Sequence, residues 1–151
     1  MTHKLDNDSF SFIINNTPLI SIDIMVVNSD EDILLGKRKN QPAKGYWFVP
    51  GGRILKSETL EGAFARLTHD ELGTVIPFDQ AEFQGVYEHF YENSYLDDNI
   101  STHYVVLLYK VKIREKSMSY PQEQHQEYIW LSREEITINE EVHSYTKNYF
   151  Q

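Results

Sequence analysis

The hydrophobic positions of this chain change period several times, and each period indicates a different element. Leu19–Val27 is a nearly continuous apolar run rich in β-branched residues, which predicts a largely buried strand. The polar segment Asn28–Asp32 predicts a turn, and Ile33–Arg38 predicts the returning arm of a hairpin. An amphipathic segment, Asp8–Asn15, comes before the first strand and ends ahead of Thr17-Pro18.

Further strands and a short helix are predicted along the rest of the chain. The strand candidates are Tyr46–Val49, which stops at Pro50-Gly51-Gly52, and then Glu82–His89, Thr102–Ile113 and Glu127–Leu131. A short helix is predicted between Asn139 and Tyr149. Several strands interrupted by one strong helix and one weaker helix predict an α/β fold, of the α+β kind, with a mixed sheet.

The strong helix follows the paired glycines. Thr59 is a suitable N-cap, because its side-chain oxygen can accept a hydrogen bond from an unpaired amide of the first turn. Gly73 stands where a left-handed residue commonly ends a helix. Between them, apolar residues recur at i, i+3, i+4 and i+7, the spacing of one buried face: Leu60, Ala63, Phe64 and Leu67.

Composition restricts the classes of protein to which the chain can belong. Its 151 residues suit one domain with one core, and 40% of them are hydrophobic. Cysteine is absent, which excludes disulfides and thiolate metal sites. The formal net charge of −9 argues against a nucleic-acid partner. A polar N-terminus and the lack of a long apolar run predict no signal peptide and no membrane span, so we expect a cytoplasmic protein.

A group of residues on the strong helix is a candidate metal-binding site. Leu67, Asp70 and Glu71 are related by i+3 and i+4, so their side chains are expected on a shared face. Acidic side chains beside an accessible carbonyl of Gly51 or Gly52 form the kind of hard oxygen site that Mg2+ prefers. A solvated acidic patch is the alternative interpretation of an isolated Asp-Glu pair. The fixed order of glycine, acid and arginine residues favours the metal site.

The segment from Gly52 to Thr74 resembles the Nudix box, which runs Gly, five residues, Glu, seven residues, Arg-Glu, an apolar residue, any residue, Glu-Glu, any residue, Gly. The residues that fall in register are Gly52, Glu58, Arg66, Glu71 and Gly73. Asp70 is a conservative change, whereas Leu67 replaces the Glu that ligates metal or acts as the base in many members. The resemblance implies a single Nudix domain over residues 1–151, with the box at about 52–74 and an α/β/α sandwich around a mixed sheet.

Longer strings are similar to one Nudix subfamily, GDP-mannose mannosyl hydrolase, whose box also lacks that Glu. The likeness extends from near Phe10 to Phe150. Its strings are Leu34–Arg38, Gly45–Arg53, Arg66-Leu67-Thr68, Thr102–Leu107 and Glu123-Gln124-His125. The resemblance implies hydrolysis of GDP-mannose, and of GDP-glucose, to GDP and the free sugar by attack of water at the anomeric carbon with inversion.

The resemblance also implies a set of site residues. It assigns Mg2+, for which Mn2+ can substitute, to the Gly51 carbonyl, Glu71 and Gln124, and it makes His125 the general base. Catalytic roles near the leaving diphosphate fall to Arg38, Arg53, Arg66 and Tyr104. Substrate contacts fall to Phe10, Asp23, His89 and again Arg38, with Phe10 placed across the interface of a homodimer.

Several of these residues have simpler interpretations. His125 could be a surface histidine, and His89 and Tyr104 could be core residues with satisfied polar ends. Arg66 could pair with Asp70 at i+4 on the helix surface. Two other functions stay open: a pyrophosphohydrolase that cleaves a nucleotide sugar at phosphorus, and a Nudix-fold module that binds the nucleotide sugar without turning it over.

Overall fold

The fold was determined as a computed structural model that describes residues 5–114 and 125–151. In chain order its elements are helix α1 (Asn7–Asn16), strands β1 (Leu19–Val27), β2 (Ile33–Arg38), β3 (Trp47–Phe48) and β4 (Gly51–Arg53), helix α2 (Leu60–Leu72), a 3-10 turn (Phe78–Gln80), strands β5 (Glu82–Tyr91), β6 (Thr102–Lys112) and β7 (His125–Leu131), and helices α3 (Arg133–Ile138) and α4 (Ser144–Asn148). The predicted α+β class with a mixed sheet is confirmed.

Strand β1 forms the centre of a seven-stranded sheet with the order β3-β2-β1-β6-β5. It runs parallel to β6 along its whole length, from the pair Leu19↔Tyr104 to the pair Val27↔Lys112. The other pairings are antiparallel, including β4 on β1 and β7 on β2. The mixed sheet therefore brings β4 and the ends of β2, β5 and β6 around one half of β1.

Helices cover both faces of this sheet, because side chains of β1 alternate between two cores. Ile22, Ile24 and Val26 pack with Phe64 and Leu67 of α2 on one face. The opposite face is covered by the C-terminal helices, through these buried residues of the second cluster: Met25, Val27, Leu35, Ile136, Val142 and Tyr149. The predicted α/β/α sandwich follows from this two-sided burial.

Helix α2 begins and ends where its caps predict. The Thr59 side chain accepts a hydrogen bond from the Gly62 amide at 3.0 Å, and Gly73 ends the helix with φ 76° in the left-handed region. Ala63, Phe64 and Leu67 are buried as predicted. The prediction for Leu60 is wrong, since this side chain is 42% exposed at the first turn, beyond the edge of the core.

Several element boundaries differ from the sequence predictions, and two elements were not predicted. The strand predicted over Tyr46–Val49 is confined to Trp47–Phe48 and ends before Pro50, as predicted. Gly51 and Gly52 then form, with Arg53, the strand β4, which was not predicted and pairs with β1. The helix expected between Asn139 and Tyr149 is confined to Ser144–Asn148. Helix α3 was not predicted, although the capping box of Ser132 and Glu135 is a local signal for it. Within the residues described, no helix is both long and apolar enough to cross a membrane.

Candidate active site

A pocket opens over the central half of β1. It is lined by Ser21, Asp23, Arg38, Pro42, Phe48, Val49, Gly51, Gly52, His89, Tyr91 and Tyr104. The predicted site residues Asp23, Arg38, Gly51, His89 and Tyr104 are therefore brought together, although they come from five different strands. This convergence is possible because β4 and β6 flank the same stretch of β1.

Asp23 provides a carboxylate on the floor of the pocket. Its Oδ2 accepts a hydrogen bond from the Tyr149 hydroxyl at 2.5 Å. The pKa of Asp23 is raised to about 7: burial and, to a smaller extent, the Glu71 carboxylate raise it, and the Tyr149 hydrogen bond and the Arg38 guanidinium oppose them. Asp23 and Glu71 are thus close enough to interact electrostatically.

Two guanidinium groups face the half-buried Tyr104. Burial raises the pKa of the Tyr104 hydroxyl, and the positive charges of Arg38 and Arg53 oppose this rise. Arg38 is held at the end of β2, where its Nε donates to the Pro42 carbonyl at 2.9 Å. Burial lowers the pKa of Arg53. Because a guanidinium keeps its charge in proteins, this edge of the pocket is suited to an anion.

Phe10 lies on Arg53 within the same chain. The Arg53 guanidinium carbon is 4.7 Å from the centroid of the Phe10 ring, a cation–π distance. Helix α1 carries Phe10 there, and its N-cap is Asp6, whose side chain accepts a hydrogen bond from the Ser9 amide at 2.8 Å. The predicted contact of Phe10 across a dimer interface stays a prediction, since the structure describes a single chain.

Arg66 lies beside the pocket rather than on its lining. Its Nε and Nη2 donate to the two carboxylate oxygens of Glu58 at 2.7 Å and 3.0 Å, and Nη2 also donates to the Arg53 carbonyl at 2.8 Å. This bidentate pair lowers the pKa of Glu58. The contact of Arg66 with Asp70, considered as its alternative role, is longer, at 3.9 Å.

The acidic pair of α2 is divided between the interior and the surface. Glu71 is buried, at 4% exposure, whereas the Asp70 side chain is 52% exposed and contacts His69 and Arg66. The expectation that Asp70 shares the face of Leu67 and Glu71 is therefore wrong. A buried carboxylate such as that of Glu71 requires partners that replace its lost hydration, whereas the exposed Asp70 carboxylate keeps its contact with water.

The last part of the predicted site falls on β7 and the residues before it. His125 is the first residue of β7, and its backbone pairs with that of Arg38 in β2. This register places His125 at the end of β2 that carries a pocket residue. Gln124 lies outside the described residues.

Three aromatic residues of the pocket region were missed. Tyr149 bonds to Asp23 and lies 3.2 Å from His89 Nε2, the Tyr145 ring stacks on the His89 ring at 4.3 Å, and the Tyr91 hydroxyl lies 3.5 Å from His89 Nδ1. No local sequence signal connects the C-terminal tyrosines with residues so distant in the chain.

Comparison with known proteins places this fold and site in a family. Residues 17–150 match the NUDIX domain family. The chain belongs to the Nudix family. This Nudix protein is 36% identical over 117 residues, 78% of its length and 73% of the relative's, to the low-salt glycan biosynthesis protein Agl8 of Haloferax volcanii.

Two solved structures share the fold of this Nudix protein. One is the MutT NUDIX hydrolase from Burkholderia pseudomallei, with a TM-score of 0.72, 24% identity, and coverage of 89% of this chain and 97% of that chain. The other is the NUDIX domain of Shewanella oneidensis NrtR complexed with ADP ribose, with a TM-score of 0.65, 19% identity, and coverage of 97% and 91%. At these identities the likeness shows the fold alone.

Nudix hydrolases generally use divalent metal ions, and the donors present here fit one. Asp23 and Glu71 are two interacting acids, and a cation would relieve their repulsion. A Cβ on Gly51 would collide with the Ile22 carbonyl oxygen and with Asp23 Oδ1, so only glycine allows this close approach. Among the residues described, no three His, Cys, Asp or Glu side chains converge, so a metal here requires backbone or amide oxygens as well.

Proposed function

We propose that this Nudix hydrolase acts on GDP-mannose, and on GDP-glucose, releasing GDP and the free sugar by attack of water at the anomeric carbon. The observation that carries this proposal is the burial of Leu67. Leu67 is 4% exposed, and its Cδ2 lies 2.6 Å from the place where a Cβ on Gly52 would stand. The position after Arg66 therefore packs against the box glycine and can supply neither a metal ligand nor a base for attack at phosphorus.

The pocket is suited to stabilising a diphosphate as it leaves. In attack at carbon, the bond from C1 to the β-phosphate oxygen breaks, and its electron pair stays on GDP. Arg38 and Arg53 offer guanidinium groups that neutralise this growing charge, and Tyr104, which interacts electrostatically with both, is proposed as a hydroxyl donor. We place Arg66 behind them, where its bonds to Glu58 and the Arg53 carbonyl hold the strand in position.

The attacking water needs a base on the other side of the sugar. His125 is proposed for this role: it removes one proton as the water oxygen bonds to C1, and the sugar leaves with inverted configuration. Its place opposite Arg38 at the start of β7 supports the assignment. Asp23 and His89 are proposed to bind the sugar hydroxyls from the pocket floor, and Phe10 the nucleotide.

We propose that Mg2+, or Mn2+ in its place, is held by the Gly51 carbonyl, Glu71 and Gln124. The ion would supply positive charge beside the leaving diphosphate. The residues of the chain perform the remaining tasks: the arginines bind the phosphates, and the buried Glu71 carboxylate fixes the position of the charge.

The comparisons support a substrate of this class. The Haloferax relative is named for glycan biosynthesis, in which activated sugars are the building units, and the NrtR domain binds ADP ribose, a nucleoside diphosphate joined to a sugar. Because the NrtR domain is complexed with ADP ribose, a module that binds a nucleotide sugar without turning it over stays an alternative. The expected homodimer stays a prediction, which sedimentation in solution would test.

The deciding experiment is hydrolysis of GDP-mannose in water labelled with 18O, followed by phosphorus and anomeric-proton NMR and by mass spectrometry. Attack at carbon gives unlabelled GDP and β-mannose that carries 18O at C1. Attack at phosphorus gives GMP and mannose 1-phosphate with the label on a phosphate, and it would replace our proposal by the pyrophosphohydrolase. Binding without turnover would favour the sensor function.

A further inference from the structure

Hydrogen bonds link three side chains, Asp23, Tyr149 and His89, and so connect the floor of the pocket to the end of the C-terminal helix. The Tyr149 hydroxyl donates to Oδ2 of Asp23 at 2.5 Å and lies 3.2 Å from Nε2 of His89. Tyr149 and His89 are both buried, at 7% and 4% exposure. Their polar atoms therefore have little access to water, and the bonds among the three determine where each proton resides.

The number of protons that these hydrogen-bonded groups can donate determines the tautomer of His89. A tyrosine hydroxyl has one proton to donate and lone pairs with which to accept. Because the Tyr149 proton goes to Asp23, the hydroxyl can only accept from His89, and so Nε2 carries the ring proton. Nδ1 is then an acceptor, and it faces the Tyr91 hydroxyl at 3.5 Å. All three contacts agree with one arrangement of protons.

Two further contacts hold the His89 ring and the helix in place. The Tyr145 ring lies parallel to the His89 ring, with centroids 4.3 Å apart and an angle of 2° between the planes. The Tyr145 hydroxyl accepts from the Phe90 amide at 3.0 Å and donates to the Phe90 carbonyl at 2.9 Å. Helix α4 is thereby attached to β5 at the residue that follows His89.

The hydrogen bond from Tyr149 also orients Asp23. With Oδ2 held by Tyr149, the other oxygen, Oδ1, is directed towards Gly51, since a Cβ on Gly51 would stand 2.5 Å from it. The carboxylate thus presents Oδ1 to the region beside β4. Without the hydroxyl, the carboxylate could rotate and the His89 ring could exchange tautomers.

We infer that Tyr149 is a positioning residue of the pocket: it orients the Asp23 carboxylate and holds His89 in the Nε2–H tautomer through one hydroxyl group. The C-terminal helix is then a working part of the site. The inference rests on the proposed function in one respect, which is that the sugar binds in this pocket.

The test is 15N–1H NMR of protein labelled at histidine, in mildly alkaline buffer, with the His89 signals assigned by their loss in His89→Gln. Wild type should show the Nε2–H pattern. Tyr149→Phe keeps the ring and removes the hydroxyl, so its His89 signals should move towards the Nδ1–H pattern. Tyr145→Phe is the matched control on the same helix, because its hydroxyl bonds to backbone atoms and the tautomer should stay unchanged.

Kinetics provide a second measurement. In Tyr149→Phe, kcat for GDP-mannose should fall roughly tenfold, the effect of losing one hydrogen bond to a charged group, with KM changed much less. An Nδ1–H tautomer in wild type, or the wild-type pattern and kcat in Tyr149→Phe, would overturn the inference. If wild type turns over no GDP-mannose, the proposed function fails, whereas the tautomer comparison still decides the role of Tyr149.

Discussion

Arg66 and Glu58 form a bidentate pair, with hydrogen bonds of 2.7 Å from Nε to Oε2 and 3.0 Å from Nη2 to Oε1. The pair joins α2 to the loop before it, because Glu58 also accepts from the Leu55 amide at 2.8 Å and Arg66 donates to the Arg53 carbonyl at 2.8 Å. Two residues of the Nudix box thus hold β4, and with it the Gly51 carbonyl, against the helix.

Replacing Arg66 by Lys should lower the free energy of unfolding by about 1–3 kcal/mol, measured by urea denaturation. Lysine keeps the charge but lacks the planar fork that bonds to both carboxylate oxygens. The matched control is Asp70→Asn, which removes only the exposed 3.9 Å contact and should change stability by less than about 0.5 kcal/mol. Equal stability of Arg66→Lys and wild type would contradict a structural role for the fork.

Metal dependence should be lost in Glu71→Gln. The buried carboxylate is the charged ligand of the proposed site, and an amide attracts a divalent cation much less. Activity of wild type should disappear with EDTA and return with Mg2+ or Mn2+, whereas Glu71→Gln should not respond to either ion. Asp70→Asn, with its exposed side chain, should respond like wild type. Full activity of wild type in EDTA would remove the metal site from the proposal.

The two adjacent glycines should differ in their tolerance of a methyl group. In Gly51→Ala the new Cβ meets the backbone carbonyl of Ile22, which cannot move without disturbing β1, so we expect a loss of stability of about 1–3 kcal/mol. In Gly52→Ala the nearest atom, at 2.6 Å, is the end of the Leu67 side chain, which can rotate away. Thermal unfolding of both variants checks this order; a less stable Gly52→Ala would contradict it.

Substitution of the proposed base should affect turnover and not binding. We expect His125→Gln to lower kcat for GDP-mannose by roughly 10²–10⁴-fold, the usual contribution of a general base, while calorimetric binding of the nucleotide sugar is retained. His69→Gln is the control, since this exposed histidine of α2 has its Nδ1 3.2 Å from Asp70 Oδ1, away from the pocket lining. Near-normal turnover in His125→Gln would exclude it as the base.

The stability of the metal-free protein should depend on pH through two opposing groups. Burial, with a smaller effect of His143, lowers the pKa of His89 to about 4, so its contribution is complete above the unfolded pKa of 6.5 and is lost as the pH falls towards 4. Burial raises the pKa of Asp23 to about 7, so its contribution is complete below 3.8 and is lost as the pH rises through 7.

These two slopes partly cancel between pH 4 and 6.5, and Asp23→Asn should remove one of them. In that variant the free energy of unfolding should rise more steeply with pH than in wild type, by up to about 3 kcal/mol from His89 across the window. Urea denaturation at several pH values in EDTA measures the slopes. Adding His89→Gln should flatten the curve again, and identical slopes for wild type and Asp23→Asn would contradict the assignment.

Much of the fold could be predicted because its signals are local. The caps of α2 act within three residues of Thr59 and at Gly73, and the apolar run of β1 reflects a strand buried on both faces. The Nudix box likewise defines its own geometry, since the spacing of Glu58 and Arg66 allows their bidentate pair across the start of one helix. The resemblance then named residues that the structure gathers in one pocket.

Only the tertiary structure decided which residues complete that pocket. Tyr149 reaches Asp23 across 126 positions of sequence, because α4 packs on the face of the sheet opposite α2 and its end meets β1 and β5 there. It also decided that Glu71 is buried while Asp70 is exposed, although both are acids of one turn. Periodicity specifies the face of a helix, but the depth of each side chain and its hydrogen-bond partner depend on elements that meet only when the whole sheet has formed.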